Sequence, residues 1–99
     1  MTTEKNERDP FNDKLTFKDI ITSHKELYEL SYAEIGERVG KSRAYIYDLA
    51  VGRKVPSIKQ AKEIASLLDL PVNVCVVAAI NGLLEKEGID PSQFKVAAV

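Results

Sequence analysis

Four helix-breaking residues divide most of the chain into short segments, and their spacing constrains the fold more than any other feature of the sequence. They are Gly40, Gly52, Pro71 and Gly88. Glycine readily adopts the positive φ that ends a helix, and proline cannot continue one. The chain is therefore expected to form short helices that bury a shared core.

Helix-start signals stand at the beginning of these segments. Ser31 and Glu34 have the S-x-x-E spacing of a capping box, in which each side chain satisfies a free backbone N–H. Ser42 is the next cap candidate, and Ser57 follows Pro56. With a first helix after the cap candidate Thr16 and a last one from about Val72, the pattern predicts an all-α domain of five helices.

The stretch YIYDLAV, residues 45–51, is rich in residues that favour strands, so a strand has to be weighed against a helix here. A strand would place Asp48 on the same side as Ile46 and Ala50, so apolar and polar residues would not be separated between its two faces. A helix from Arg43 places Ile46, Leu49 and Ala50 together, at i, i+3 and i+4. The pattern therefore favours a helix.

Charge is distributed unevenly along the chain. The 99 residues carry a formal net charge of -1, which excludes a globally basic polynucleotide binder. Between Arg38 and Lys62, however, seven basic residues stand against Asp48, a local charge of +6, so the rest of the chain carries -7. Such segregation predicts a positive face on an acidic molecule, as local phosphate binding requires.

The sequence divides into three parts. Residues 1–14 are polar, have no apolar period and are expected to form a flexible arm. Residues 15–88 form the helical domain. Residues 89–99 follow as a short tail, extended or loosely docked, that is available for contact with a second chain.

Several function classes find no support in the sequence. No membrane span or signal-peptide pattern is seen, and the one cysteine, Cys75, lies in an apolar run; a cytoplasmic protein with Cys75 in its core is expected. The one histidine, His24, is expected on the outer side of the first helix. Because metal-ligand spacings, phosphate loops and acid/base pairs are missing, we expect no enzyme activity, cofactor, metal or small-molecule effector.

The segment from Leu30 to Leu70, LSYAEIGERVGKSRAYIYDLAVGRKVPSIKQAKEIASLLDL, resembles the phage-repressor and Cro-type (Xre-like) helix-turn-helix family. The matching features are the Leu-Ser-x-x-Glu opening, Gly-x-Ser before the recognition helix, and Gly-Arg-x-x-Pro-Ser after it, all in ungapped register. The resemblance implies a sequence-specific regulator of transcription that binds double-stranded DNA, a repressor acting by operator occupancy. An origin in a phage or mobile element is compatible with it.

The family's roles transfer position by position. The first, second and sixth residues of the recognition helix approach base edges, and Tyr47 lies between them. The expected base-reading residues are thus Arg43, Ala44, Tyr47 and Asp48, although Asp48 can instead pair with Arg43 or Arg53. The expected phosphate contacts are Tyr32, Lys41, Ser42, Tyr45, Arg53 and Lys54. For Tyr45, packing against a neighbouring helix is an equal alternative.

A departure from the family occurs at Gly36, where alanine is usual. We expect glycine to fit there and to weaken the helix by about 1 kcal/mol.

The last helix carries more apolar residues than one face can bury. Part of it is expected to pack on Leu27, Ile64 and Leu68, and the rest to pair with a second copy on a pseudo-palindromic operator. The predicted dimer interface consists of Val76, Ile80, Leu83, Leu84 and Phe94. The alternative is a monomer whose tail folds back over the helix.

A second function class fits the same scaffold. The low pI of about 5.8 and the acidic Asp48 on the DNA-facing side are compatible with a protein-interaction module, such as an antitoxin or accessory factor. A continuous positive face spanning Tyr32, Lys41, Arg43 and Arg53 would favour DNA, whereas interruption by Glu37 and Asp48 would favour this alternative.

Overall fold

A computed structural model describes residues 15–89, which fold into five α-helices. They are α1 (Phe17–Tyr28), α2 (Tyr32–Val39), α3 (Arg43–Ala50), α4 (Ile58–Leu67) and α5 (Val72–Lys86). The predicted all-α, five-helix class is therefore confirmed. The proposed arm at residues 1–14, nearly all of the tail and Phe94 lie outside the described residues.

The predicted capping residues form hydrogen bonds at the starts of the helices. The Ser31 hydroxyl accepts a hydrogen bond from the Glu34 backbone N–H at 3.0 Å, and the Glu34 carboxylate accepts one from the Ser31 N–H at 2.8 Å. The hydroxyls of Ser42 and Ser57 cap α3 and α4 in the same way. Gly40 follows α2 with a φ of 69°, in the left-handed region that favours glycine.

The core lies between α3 and its neighbours. Ile46, Leu49 and Ala50 of α3 are buried against α1 and α2, as the helical interpretation of residues 45–51 requires. Helices α4 and α5 pack against each other on the other side of the domain. This arrangement confirms the helix and fixes which side of α3 is left to solvent.

The phase of α1 differs from the expectation. Its buried residues are Phe17, Ile21 and His24, whereas Leu27 is 73% exposed. Phe17 sets the phase, because Ile21 and His24 follow it at the spacings i+4 and i+7. The expectations that His24 faces outward and that α5 packs on Leu27 are both wrong.

A partly buried hydrogen bond that the sequence did not reveal joins α5 to the residues just before α1. The Asn81 side-chain amide donates a hydrogen bond to the Leu15 carbonyl at 2.8 Å, and Asn81 has no exposed surface. Cys75 of the same helix is also buried, as predicted, and burial raises the pKa of its thiol to about 11.

Gly36 marks the closest approach in the turn between α2 and α3. A β-carbon built on Gly36 would lie 2.5 Å from the Lys41 carbonyl oxygen, closer than such atoms can approach. The Lys41 N–H also donates to the Gly36 carbonyl at 2.9 Å, so the turn is held at this spacing. The turn therefore requires glycine at position 36. The sequence had predicted only that glycine fits there and weakens the helix.

We therefore predict that Gly36→Ala lowers the free energy of unfolding by about 1–3 kcal/mol, because backbone atoms must shift to admit the methyl group. Urea denaturation measures the change. The exposed Ala33→Gly in the same helix is the matched control, with an expected loss of about 0.5–1 kcal/mol from helix propensity alone. Stabilisation by Gly36→Ala would show that propensity outweighs the close contact.

The burial of His24 predicts that the fold is sensitive to acid. Its Nε2 atom is buried without a hydrogen-bond partner, and its ring lies 4.7 Å from that of Tyr28. Burial, and secondarily the charge of Arg38, lowers the pKa of His24 below 6.5. Since the native state resists a protonation that the unfolded chain accepts, the contribution of neutral His24 to stability is expected to be fully present above pH 6.5 and to be lost as the pH falls toward the native pKa.

Denaturation at pH 7.5 and 5.5 should accordingly show lower stability at the lower pH, and His24→Leu should remove most of this difference. Glu34 does not interfere in this window, because the hydrogen bond from the Ser31 backbone amide holds the pKa of Glu34 below 4.5. An equal loss in the leucine variant would assign the acid sensitivity to another group.

Candidate nucleic-acid interface

Helices α2 and α3 form a compact pair joined by a tight turn. Each has eight residues, and the turn consists of Gly40, Lys41 and Ser42. Ile35 and Val39 of α2 share the core with Ile46 of α3. The apolar sides of the two helices are thus buried in the core, and the other side of α3 faces solvent.

The predicted base-reading residues lie together on that solvent side. Arg43, Ala44 and Tyr47 are exposed, and Asp48 is half-buried beside them. Positions i, i+1, i+4 and i+5 follow one side of a helix, so a groove that admits α3 would meet all four. The structure brings these side chains together; contact with bases stays a prediction.

Three tyrosines lie on α2 and α3, and two of them connect the exposed sides of these helices. The rings of Tyr32 and Tyr47 meet edge to face with centroids 5.6 Å apart. Tyr45 points to the other flank of α3, where it packs against the core and its hydroxyl lies 3.4 Å from Gln60 Oε1 of α4. Burial raises the pKa of Tyr45. Of the two expectations for Tyr45, the structure shows packing against a neighbouring helix, and the phosphate contact stays a prediction.

Each tyrosine ring holds at least one cationic side chain within about 6 Å, the range of cation–π attraction. Lys25 and Arg43 lie 5.0 and 6.0 Å from the centre of the Tyr32 ring. Lys41 and Lys54 lie 5.6 and 5.5 Å from that of Tyr45, and Arg53 lies 5.8 Å from that of Tyr47. We call these eight side chains the tyrosine–cation surface: Lys25, Tyr32, Lys41, Arg43, Tyr45, Tyr47, Arg53 and Lys54.

The tyrosine–cation surface includes Lys25, which the sequence analysis missed. Lys25 lies in the last turn of α1, outside the basic segment that begins at Arg38. It meets Tyr32 because the connection from α1 to α2 is only three residues long, with Glu29 at a φ of 54°. The short segment between the two predicted helices was the one sequence feature that could have indicated that the end of α1 lies near Tyr32.

Asp48 is the acidic residue on this surface, and it is paired. Its Oδ1 atom lies 2.8 Å from Arg53 Nη1, and its Oδ2 atom lies 3.8 Å from Lys54 Nζ. Of the two partners considered from the sequence, the structure selects Arg53. Two cations therefore offset the one acidic charge between Arg38 and Lys62.

The predicted phosphate contacts surround the base-reading side. Lys41, Ser42, Arg53 and Lys54 are exposed, and Tyr32 is half-buried at the N-terminus of α2. The Ser42 hydroxyl already accepts from the Tyr45 N–H at 3.1 Å, which leaves its O–H free to donate. Phosphate contact itself stays a prediction.

The predicted dimer surface is only partly accessible in the single chain. Val76 is 4% exposed, Ile80 and Leu84 are half-buried, and Leu83 is 40% exposed. Phe94 lies outside the described residues. Leu83 is therefore the strongest of these residues for contact with a second copy.

No helix within residues 15–89 is long and apolar enough to cross a membrane. Within the same range, no group of three histidine, cysteine or acidic residues is placed to hold a metal ion.

Comparison with known proteins agrees with this geometry. The family described as helix-turn-helix matches residues 25–74, which include α2, the turn and α3. The chain is 32% identical over 71 residues to the "ImmF control region 10 kDa protein" of Bacillus phage phi105, a match that covers 72% of this chain and 78% of that protein. No solved structure matches the chain.

Proposed function

Since the chain belongs to the phage-repressor-type helix-turn-helix family of DNA-binding transcriptional regulators, we propose that it is a cytoplasmic repressor that occupies a pseudo-palindromic operator as a homodimer. The observation that carries the proposal is the tyrosine–cation surface on the solvent side of α2 and α3. It concentrates positive charge and aromatic rings around the helix that the family inserts into the major groove.

Arg43 is the proposed principal base reader. It stands at the first position of α3, and its guanidinium can donate two hydrogen bonds to O6 and N7 of guanine. Ala44 can offer its methyl group to a thymine methyl. Tyr47 can reach a base or sugar, and Asp48 can accept a hydrogen bond from a cytosine amino group.

The proposed phosphate contacts are Tyr32, Lys41, Ser42, Tyr45, Arg53 and Lys54. Tyr32 is favoured by its place in the first turn of α2, where free backbone N–H groups and the helix dipole attract an anion.

Two further observations support a repressor over a protein-interaction module. The relative from phage phi105 is named for a control region, which favours a regulatory role. The interaction module was favoured by the acidic Asp48, but Arg53 and Lys54 offset that charge. Asp48 therefore leaves no unpaired negative charge on α3, whereas Glu37 of α2 is exposed.

The dimer follows from the small size of the reading helix. With eight residues, α3 covers only a few base pairs, too few to select one site in a genome. A two-fold dimer through α5 would double the contacts and place two copies of α3 about one DNA turn apart. The proposed interface consists of Ile80, Leu83, Leu84 and Phe94, whereas Val76, 4% exposed, is too deeply buried in the single chain to contact a second copy.

We predict that Arg43→Ala weakens binding to the best duplex by about 1–3 kcal/mol and relaxes the preference at one base pair, because a bidentate contact to guanine is lost. In vitro selection of bound duplexes, followed by affinity measurement, provides the test.

The matched control is Lys41→Ala, which removes the same charge beside the start of α3. It should weaken all duplexes about equally and reduce the slope of log K against log salt by about one unit. An unchanged preferred sequence for Arg43→Ala would rule out its role in reading bases.

Sedimentation of the protein at micromolar concentration should give the mass of a dimer, and Leu83→Asp should shift it to a monomer because it places a charge in the apolar contact. The exposed Leu27→Asp, on the outer side of α1, serves as the control and should leave the dimer intact. A monomer for the unchanged protein, both free and on a duplex with two half-sites, would contradict the dimer.

A further inference from the structure

Asp48 organises the loop that follows α3. Both ion pairs that form between residues 15 and 89 use its carboxylate, which contacts Arg53 at 2.8 Å and Lys54 at 3.8 Å. Its backbone carbonyl also accepts hydrogen bonds from the backbone N–H groups of Arg53, at 2.8 Å, and Lys54, at 3.1 Å. One residue thus fixes both the backbone and the side chains of two proposed phosphate contacts.

The two sides of these ion pairs differ in exposure. The side chains of Arg53 and Lys54 are 66% and 55% exposed, whereas that of Asp48 is 17% exposed. An exposed ion pair is a weak contact, since water and salt screen it, so the cations can exchange the carboxylate for another anion. The largely covered carboxylate, if left without a partner, would carry an uncompensated charge.

A DNA duplex offers a replacement partner to each group. Phosphate oxygens can take the cations, and exposed amino groups in the major groove, such as cytosine N4, can donate to a carboxylate. The second exchange depends on the base, because only some positions present an amino group within reach of α3.

We propose that Asp48 is a specificity-determining residue that couples base identity to backbone binding. In the free protein its carboxylate holds Arg53 and Lys54. On DNA these cations transfer fully to phosphates only where a base amino group takes their place on the carboxylate. This inference rests on the proposed function, since it requires α3 to lie in the major groove.

The coupling has a consequence for non-specific binding. On a duplex without a suitably placed amino group, the carboxylate retains the two cations and repels nearby phosphates. Fewer counterions are then released, so affinity is lower and depends less on salt. Asp48 would therefore suppress binding to wrong sequences more than it strengthens binding to the right one.

The test compares a duplex selected in vitro with a random-sequence duplex of equal length, over a series of salt concentrations. For the unchanged protein, the slope of log K against log salt should be about two units steeper on the selected duplex, because two more phosphates are contacted. Asp48→Ala should raise the affinity for the random duplex by about five- to tenfold and steepen its slope. It should also lose the preference at one base pair.

Asp48→Asn separates charge from base reading. It should raise binding to the random duplex as Asp48→Ala does, yet keep part of the base preference, because its amide oxygen still accepts a hydrogen bond from an amino group. Asp69→Asn is the control for net charge. Asp69 is exposed, makes no ion pair within residues 15–89, and has a φ of 59°, which asparagine tolerates. It should change affinity for the random duplex by less than about twofold.

The outcomes distinguish the inference from the function on which it rests. If both Asp48 variants leave the affinity and salt slope on the random duplex unchanged while the unchanged protein still selects a sequence, the coupling is wrong and the DNA-binding proposal stands. An equal rise for Asp69→Asn would also overturn the coupling, since net charge alone would explain the effect. If the unchanged protein binds no duplex, the proposed function fails instead.

Discussion

The burial of one side of α3 is the constraint on which the rest of the molecule depends. Ile46, Leu49 and Ala50 are held in the core by α1 and α2, and this contact leaves α3 no freedom to rotate. The turn at Gly36, where a methyl group would meet the Lys41 carbonyl, sets how closely α2 and α3 approach. The direction in which Arg43 points is therefore a result of apolar packing.

Electrostatics then converts that orientation into a binding surface. The chain as a whole is slightly acidic, yet five of its cations lie close to three tyrosine rings of α2 and α3. A negative molecule with one positive face is repelled from a polyanion in most orientations and attracted in one, which steers association. Asp48 moderates this attraction by holding two of the cations itself.

The elements that local signals control could be predicted, and those set by distant contacts could not. The capping residues Thr16, Ser31, Ser42 and Ser57, with the glycine and proline breakers, located all five helices, since these residues act on their own backbone. The expectations for His24 and Leu27 were wrong because Phe17, at the start of α1, turns His24 into the core and leaves Leu27 exposed. The exposed side of α3 followed from helical spacing, but Lys25 joined the site only through the fold.

The most direct test of the central claim, that the solvent side of α2 and α3 binds duplex DNA, is an NMR titration of isotope-labelled protein with a selected duplex. The account predicts that amide shifts concentrate at Tyr32, along α3 and at Arg53 and Lys54, while those around Leu27 and Asp69 stay unchanged. Shifts confined to the outer side of α1, or no shift with any duplex, would contradict it.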